Sequence, residues 1–148
     1  TPQEKLKAIV NYVQKSIRYK AIEFGARGTT PNEPEKTEQL RYGDCKDHAL
    51  LTHVMLKEAG IPSSLVLVNT QDRIETEVPT LDQFNHMILK TEIEGRPIYV
   101  DTTSRYLSTW SIAPKYLLQR KALILGDKVA WGKILPSKMQ DHEVKLRR

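Results

Sequence analysis

Two segments of the chain carry apolar residues at the spacing of an α-helix. The first opens with Thr1-Pro2-Gln3-Glu4, in which Thr1 and Glu4 can form a capping box and Pro2 takes the first helical position. Apolar residues follow every three or four positions: Leu6, Ile9, Val10, Val13 and Ile17. The pattern predicts a helix of about four turns. A short extended piece within Ile17 to Phe24 can follow it.

The second helical segment begins after Asp44 and runs to about Ala59. Asp44 is a favourable N-cap, and Asp47 can complete a carboxylate version of the capping box. Gly60 and Pro62 form a typical helix ending. The apolar residues lie on more than one face: Ala49, Leu50, Leu51, Val54, Met55, Leu56 and Ala59. Such a helix packs on several sides, so we expect it to be central and rigid.

Five later segments have the composition of β-strands. They are Leu65–Val68, Phe84–Glu92, Ile98–Asp101, Lys121–Leu125 and Lys128–Ile134. The first is a continuous apolar run, which is typical of a strand buried on both faces. The second and third make a hairpin about Glu94-Gly95, and Gly126-Asp127 joins the last two.

Two polar segments separate these elements. Residues 25–42, rich in Gly and Pro, are predicted to be a loop with one short helical turn at Pro34–Leu40. Residues 69–81 are predicted to be a surface excursion. Helices come first and mainly antiparallel strands follow, so the sequence predicts an α+β domain in which the second helix packs on the sheet.

Length and charge narrow the class of protein. A chain of 148 residues is the size of one domain, which we place at 1–136, with 137–148 as a basic tail or linker of a longer polypeptide. The net charge is +5, and residues 128–148 hold six Lys or Arg against two acidic residues, a balance of +4. Most of the net positive charge therefore lies near the C-terminus, and aromatic residues that could stack on bases do not alternate with the basic ones. We therefore expect no nucleic-acid partner. No apolar run is long enough for membrane insertion.

Cys45 is the only cysteine, and it falls in the first turn of the second helix. Unpaired backbone N–H groups and the positive end of the helix dipole favour a thiolate there, and they can also stabilise an oxyanion. A lone cysteine is also typical of a small buried apolar residue. The helix start therefore suggests a nucleophile, and its partners must come from elsewhere in the chain.

A thiol nucleophile in acyl transfer needs a base, which is usually a histidine held by a third polar group. His142 lies in the tail, His53 lies two turns down the helix, and His48 has no obvious orienting partner. Counting outward from a two-residue turn at Glu94-Gly95 makes His86 and Asp101 diagonal neighbours on one face of the hairpin. Spacing thus predicts Cys45 as nucleophile, His86 as base and Asp101 as its orienter.

Other interpretations of these residues remain open at this point. His86 and Asp101 can equally belong to a polar rim of the sheet. A metal site built from Cys45, Asp47, His48 and His86 is less well supported, because structural zinc sites draw on paired Cys or His ligands. We expect no cofactor and no metal. Lys46 and Asp47 are interpreted as surface and capping residues, and His48 as structural or cleft-lining.

Four stretches taken together are similar to a known family. They are Tyr42-Gly43-Asp44-Cys45-Lys46-Asp47, Ala59-Gly60-Ile61-Pro62, Asn85-His86-Met87-Ile88 and Tyr99-Val100-Asp101-Thr102-Thr103. The sequence resembles the transglutaminase-like superfamily, and within it bacterial domains that follow a β-rich domain in larger exported proteins. Gly25 to Pro34 and Pro114-Lys115-Tyr116-Leu117 also look like that subgroup.

The resemblance implies a papain-like α+β fold with Cys45, His86 and Asp101 as the catalytic triad. It also implies a polar or aromatic group near the oxyanion. Tyr42 is the candidate by position, and Asp44 and Asn85 are further oxyanion or cleft candidates. A periplasmic or cell-surface location rests on the resemblance alone.

Three functions remain open, each with a peptide or protein partner. The first is hydrolysis of a peptide or amide bond through a thioester. The second is glutamine γ-glutamyl transfer, which cross-links proteins and uses the same residues. The third is a binding or scaffold module of an envelope protein with an idle triad. Glycan removal is the least favoured, because the relatives that perform it carry paired-cysteine metal sites.

Overall fold

The computed structural model describes residues 1–22, 25–71, 73–78, 80–104 and 115–136. Helix α1 spans Pro2–Ser16, and both hydrogen bonds of the predicted Thr1–Glu4 capping box are present. Strand β1 (Arg18–Tyr19) follows, within the predicted extended piece, whose end at Phe24 lies outside the described residues. A 3₁₀ turn at Gly25–Gly28 and helix α2 (Pro34–Leu40) lie in the predicted loop.

Helix α3 spans Cys45–Glu58, as the pattern predicted. Asp44 is its N-cap and Ala59 its C-cap. Just before it, strand β2 (Tyr42–Gly43) pairs in parallel with β1, and the amide of Lys20 donates to the carbonyl of Gly43 at 2.8 Å. This small parallel pair fixes the path of the chain immediately before Cys45.

A five-stranded antiparallel sheet forms the other layer. Its strands are β3 (Ser63–Val68), β4 (His86–Ile93), β5 (Arg96–Val100), β6 (Lys121–Leu125) and β7 (Val129–Lys133). Their order in the sheet is β5-β4-β3-β6-β7. All five predicted strands are confirmed, and the chain is an α+β domain.

The turn between β4 and β5 sets the hairpin register. Ile93 pairs with Arg96, and the ladder continues to Leu89 opposite Val100, which confirms the predicted register. Both turn residues have positive φ, 53° at Glu94 and 73° at Gly95. A two-residue turn of this type matches the right-handed twist of the flanking strands.

Helix α3 lies in the core between α1 and the sheet. One cluster joins Leu6 and Val10 of α1, Ala49 and Leu56 of α3, and Leu89 of β4. On another side, α3 contributes Leu51 to a cluster with Val13 and Ile17. The predicted packing of this helix on several sides is therefore confirmed, and its position is fixed by apolar contacts on each side.

Strand β3 packs on both faces, as its apolar run predicted. Val66 and Val68 are fully buried in one cluster, and the half-buried Leu65 packs against the cluster that α1 and α3 form on the other face. One expectation about burial needs correction. The excursion after β3 is mostly exposed but buries Ile74. The predicted tail at 137–148 lies outside the described residues. Within the described part of the chain, no helix has the length and apolar character needed to span a membrane.

Candidate active site

Cys45 is the first residue of α3, and its side chain is half-buried. Asp44 Oδ1 accepts hydrogen bonds from the amides of Lys46 at 2.9 Å and Asp47 at 3.2 Å. Asp47 Oδ2 in turn accepts from the amide of Asp44 at 3.1 Å. The capping box thus holds the helix start in place. Because Cys45 is not fully buried, it is not the buried apolar cysteine of the alternative interpretation.

Gly43 allows β2 to approach this first turn. A Cβ atom at that position would lie 2.5 Å from Cβ of Asp47, which is closer than side chains tolerate. The Tyr42-Gly43-Asp44 segment therefore packs directly on the turn that carries Cys45.

His86 and Asp101 meet at the ends of two neighbouring strands. His86 is the first residue of β4, and Asp101 directly follows the last residue of β5. Their side chains are 9% and 1% exposed, and His86 Nε2 lies 2.7 Å from Asp101 Oδ2. Cys45 is close enough to His86 for its hydrogen bonding and its charge to raise the pKa of the imidazole. Since Nε2 faces Asp101, Nδ1 is the ring nitrogen left for the sulfur.

Asp101 is held as an anion by three donors. Besides His86, the amide and the hydroxyl of Thr103 donate to Oδ1 at 3.0 and 2.7 Å. Burial alone would raise the pKa of Asp101, but His86 and Thr103 outweigh that effect and lower it. A carboxylate bonded in this way can orient an imidazole without taking its proton.

The electrostatics favour a protonated His86. Burial by itself lowers the pKa of the imidazolium, but the hydrogen bonds and charges of Asp101 and Cys45 outweigh burial and raise the pKa to about 10. An imidazolium between a sulfur and a carboxylate can stabilise a thiolate and can donate a proton to a leaving group.

Comparison with known proteins assigns the chain to a family. A family model described as the transglutaminase-like superfamily matches residues 1–110. The chain belongs to the transglutaminase-like superfamily. Cys45, His86 and Asp101 all lie within the matched region. No curated protein matches the sequence.

A solved structure with a TM-score of 0.71 agrees with this fold. It is from Parabacteroides distasonis and is described as "a putative protease"; its identity is 22%, and the match covers 91% of this chain and 25% of that chain. Another, described as "a putative cysteine protease" from Cytophaga hutchinsonii, has a TM-score of 0.49 and 16% identity, and the match covers 86% and 42% of the two chains. The transglutaminase-like domain thus spans about a quarter of the first chain.

The three cleft candidates occupy different positions in this transglutaminase-like domain. Tyr42 is half-buried, and the ammonium of Lys20 lies 4.5 Å from its ring centroid. Asp44 is 3% exposed; one carboxylate oxygen caps α3 and the other pairs with Lys46, so it is a structural residue rather than a cleft residue. Of Tyr42 and Asp44, only Tyr42 therefore remains a candidate for a group near the oxyanion.

The third candidate, Asn85, braces a loop. Its side chain accepts hydrogen bonds from the amide and hydroxyl of Thr70, at 2.9 and 3.2 Å, and donates to Asn69 at 3.4 Å. Asn85 is itself exposed, and its side-chain amide is bound to Thr70 and Asn69. It therefore supports the loop that leads into His86 rather than an oxyanion.

Lys46 and Asp47 are not surface residues, contrary to expectation. Lys46 is 9% exposed, and its ammonium lies 2.6 Å from Asp44 Oδ2. Asp47 is fully buried and, besides its capping bond, accepts from Arg27 Nη2 at 2.9 Å and from the amide of Asn32 at 2.6 Å. Asp47 thus ties the Gly-rich loop to the helix start. Sequence reasoning missed Arg27, because no motif joins it to Asp47.

His48 also has a partner that the sequence did not suggest. It is 1% exposed, and its Nδ1 lies 3.0 Å from the carbonyl oxygen of Thr102. Asp47 and His48 of the alternative metal site are therefore bound to different partners, Asp47 to Arg27 and Asn32 and His48 to Thr102. Within the described residues, no group of three or more His, Cys, Asp or Glu side chains is arranged to hold a metal ion.

Proposed function

We propose that this domain is a cysteine hydrolase that cleaves a peptide or amide bond through a thioester. The observation that supports the proposal best is the 2.7 Å bond between His86 and Asp101, together with the influence of Cys45 on the same ring, which raises the pKa of His86. Membership of the transglutaminase-like superfamily supports the same chemistry. The resemblance of the motifs around Cys45, His86 and Asp101 implies the triad at these positions.

In the first half of the reaction, the Cys45 thiolate attacks the substrate carbonyl carbon and a C–S bond forms. The C–N bond of the tetrahedral intermediate then breaks. His86 gives its proton to the leaving amine and becomes a neutral base. Asp101 stays ionised throughout and keeps Nε2 of His86 in place, so that Nδ1 faces the reacting atoms.

In the second half, a water molecule attacks the thioester carbonyl. His86 Nδ1 accepts a proton from this water, and the collapsing intermediate breaks the C–S bond. The products are a carboxylic acid and the restored pair of thiolate and imidazolium. An amine in place of water would give a cross-linked amide by the same steps, which is the transglutaminase outcome.

The start of α3 offers a donor for the oxyanion. The Asp44 carboxylate occupies the amides of Lys46 and Asp47. The amide of Cys45 itself makes no hydrogen bond to any described residue, so it is left for the oxyanion beside the sulfur. The hydroxyl of Tyr42 is the second donor we propose.

Turnover of a peptide library by the wild type and by Cys45→Ala tests the proposal. We expect cleavage or deamidation products with the wild type and none with Cys45→Ala, and His86→Ala should be similarly inactive. Adding a lysine-like amine separates the two acyl acceptors: an amine-joined product shows transfer, and free acid shows hydrolysis. If the wild type and Cys45→Ala give the same products, the proposal is wrong, and the scaffold interpretation gains support.

A further inference from the structure

His48 is a buried titratable residue that the proposed reaction does not use. It lies three residues after Cys45 on α3, and its Nδ1 is 3.0 Å from the carbonyl oxygen of Thr102. Because a carbonyl oxygen only accepts hydrogen bonds, Nδ1 must carry the proton. Burial lowers the pKa of His48, opposed by the Thr102 and Arg18 carbonyls and the charges of Asp101 and Asp47. The lowered pKa favours the neutral ring, and the bond to Thr102 then places its proton on Nδ1.

The other ring nitrogen of His48 is left unsatisfied. Nε2 is buried and has no hydrogen-bond partner among the described residues; the Arg18 carbonyl acts on the pKa of the ring without an aligned hydrogen bond. Tyr19 packs edge-on at 6.0 Å between ring centroids. A buried imidazole with one orphaned nitrogen costs free energy relative to an apolar side chain of similar size. What this histidine contributes is thus its bond to Thr102.

Thr102 lies beyond the last residue of β5 that pairs with β4. The β4–β5 ladder ends at Val100, and Thr102 comes between Asp101 and Thr103. Helix α3 supplies the missing support through two side chains. Besides the His48 bond, Thr52 Oγ1 lies 3.3 Å from Thr102 Oγ1 and donates to the carbonyl of His48 at 2.7 Å.

We propose that His48 is a positioning residue that fixes Asp101 relative to Cys45. Its Nδ1–H anchors the backbone of Thr102 to α3, and Asp101 is the residue directly before Thr102. Cys45 and His48 lie in adjacent turns of one rigid helix, so the nucleophile and the anchor move together. The distance between Cys45 and Asp101, which His86 must bridge, is then set by α3 as well as by the hairpin. This role rests on the function proposed above.

Two nearly isosteric substitutions separate the hydrogen bond from the bulk of the side chain. His48→Asn keeps an N–H donor near the position of Nδ1, whereas His48→Leu fills a similar volume without a donor. The first readout is the NMR titration of the His86 ring, which needs no substrate. The second is the rate at which iodoacetamide alkylates Cys45 at pH 6, which reports the thiolate next to His86. Circular dichroism shows which variants fold.

With His48→Leu we expect the His86 titration midpoint to fall by about one pH unit or more, because Asp101 loses its alignment. The alkylation rate should fall by about tenfold or more. In His48→Asn the titration midpoint of His86 should lie within about half a pH unit of the wild-type midpoint. If His48→Leu does not fold, His48→Gln replaces it, since its amide reaches toward the Nε2 position instead of Nδ1.

A folded Leu or Gln variant in which His86 titrates as in the wild type would overturn the positioning role. The role would also be overturned if the His86 midpoint moved as far in His48→Asn as in His48→Leu. A wild type that cleaves no substrate would instead remove the proposed function, while the His86 titration would still decide the role of His48.

Discussion

Asp101 lies one residue beyond the last paired position of β5, yet its carboxylate meets Nε2 of His86 at 2.7 Å. The bond therefore depends on groups outside the ladder that set the direction of the chain after Val100. Thr103 supplies two hydrogen bonds to the carboxylate, and α3 holds Thr102 from the other side. We propose that the sheet and the central helix together hold the Asp101 carboxylate against the ring of His86.

Replacing Asp101 by Asn should remove most of the activity without unfolding the domain. An amide can donate to Nε2 and so stabilise the tautomer that leaves Nδ1 protonated and unable to act as a base. In serine proteases the corresponding change costs about 10⁴-fold in kcat, and we expect a loss of that order. Turnover of whichever peptide the wild type cleaves measures the effect.

Thr103→Val is a matched control, since it removes the hydroxyl donor to Asp101 but leaves the negative charge of the Asp101 carboxylate. A loss of about tenfold or less is expected there, because the Thr103 amide and His86 still bind the carboxylate. Unchanged turnover in Asp101→Asn would contradict the assigned role of Asp101.

Local signals explain why much of this site could be predicted from the sequence. Asp44 and Asp47 mark the helix start that carries Cys45, because capping depends on residues close in sequence. The turn at Glu94-Gly95 sets the pairing of Ile93 with Arg96, and counting from that pair brings His86 near Asp101. Both inferences use chemistry that lies within a few residues.

The supporting contacts could not be predicted because they join residues far apart in sequence. Arg27 reaches Asp47 across 20 residues, and the Thr102 carbonyl reaches His48 across 54. No periodicity or motif indicates where a Gly-rich loop or a segment beyond a strand will lie. For the same reason Lys46 and Asp47 were expected at the surface, although their polar groups are satisfied in the interior.

The ring of His86 should titrate at about pH 10 in the wild type. Cys45 and Asp101 both contribute to raising this pKa against burial, so removing either one should lower it. We expect Cys45→Ala to lower the midpoint but to leave it above the ordinary value, since the bond to Asp101 remains. NMR of the histidine ring protons measures both midpoints. A wild-type midpoint near 6.5 would contradict this electrostatic picture.

The stability of Cys45→Ala should fall as the pH rises. In this variant the thiol no longer titrates, so the contribution of His86 is isolated. A pKa raised above 6.5 means that the folded state keeps its proton after the unfolded state has lost it. The stabilisation is complete below about pH 6.5 and is lost as the pH rises through the folded pKa.

Urea unfolding of Cys45→Ala between pH 6 and pH 10 measures this loss, which we expect to be about 1 kcal/mol or more. The double variant with His86→Gln is the control, because it removes the titrating ring and leaves the remaining groups unchanged. Equal pH dependence in the two proteins would show that His86 is not responsible.

Removing the guanidinium of Arg27 should destabilise the domain through Asp47. The carboxylate of Asp47 is fully buried, and Arg27→Met would leave it with backbone donors only. Because those amides remain, we expect the free energy of unfolding to fall by about 1.5–3 kcal/mol in urea denaturation. Arg73→Met is the matched control at an exposed arginine and should change it by less than about 0.5 kcal/mol. Similar losses at both positions would argue against the Arg27–Asp47 interaction.

The hairpin turn should respond with opposite signs to two adjacent substitutions. Glu94 and Gly95 both have positive φ, which costs Glu about 1 kcal/mol or more but costs Gly little. Glu94→Asn should therefore stabilise the domain by a few tenths of a kcal/mol or more, and Gly95→Ala should destabilise it by about 1 kcal/mol. A Cβ at Gly95 meets no atom within 4 Å, so the loss would be conformational and not steric. Urea denaturation measures both changes, and equal signs would contradict the observed turn.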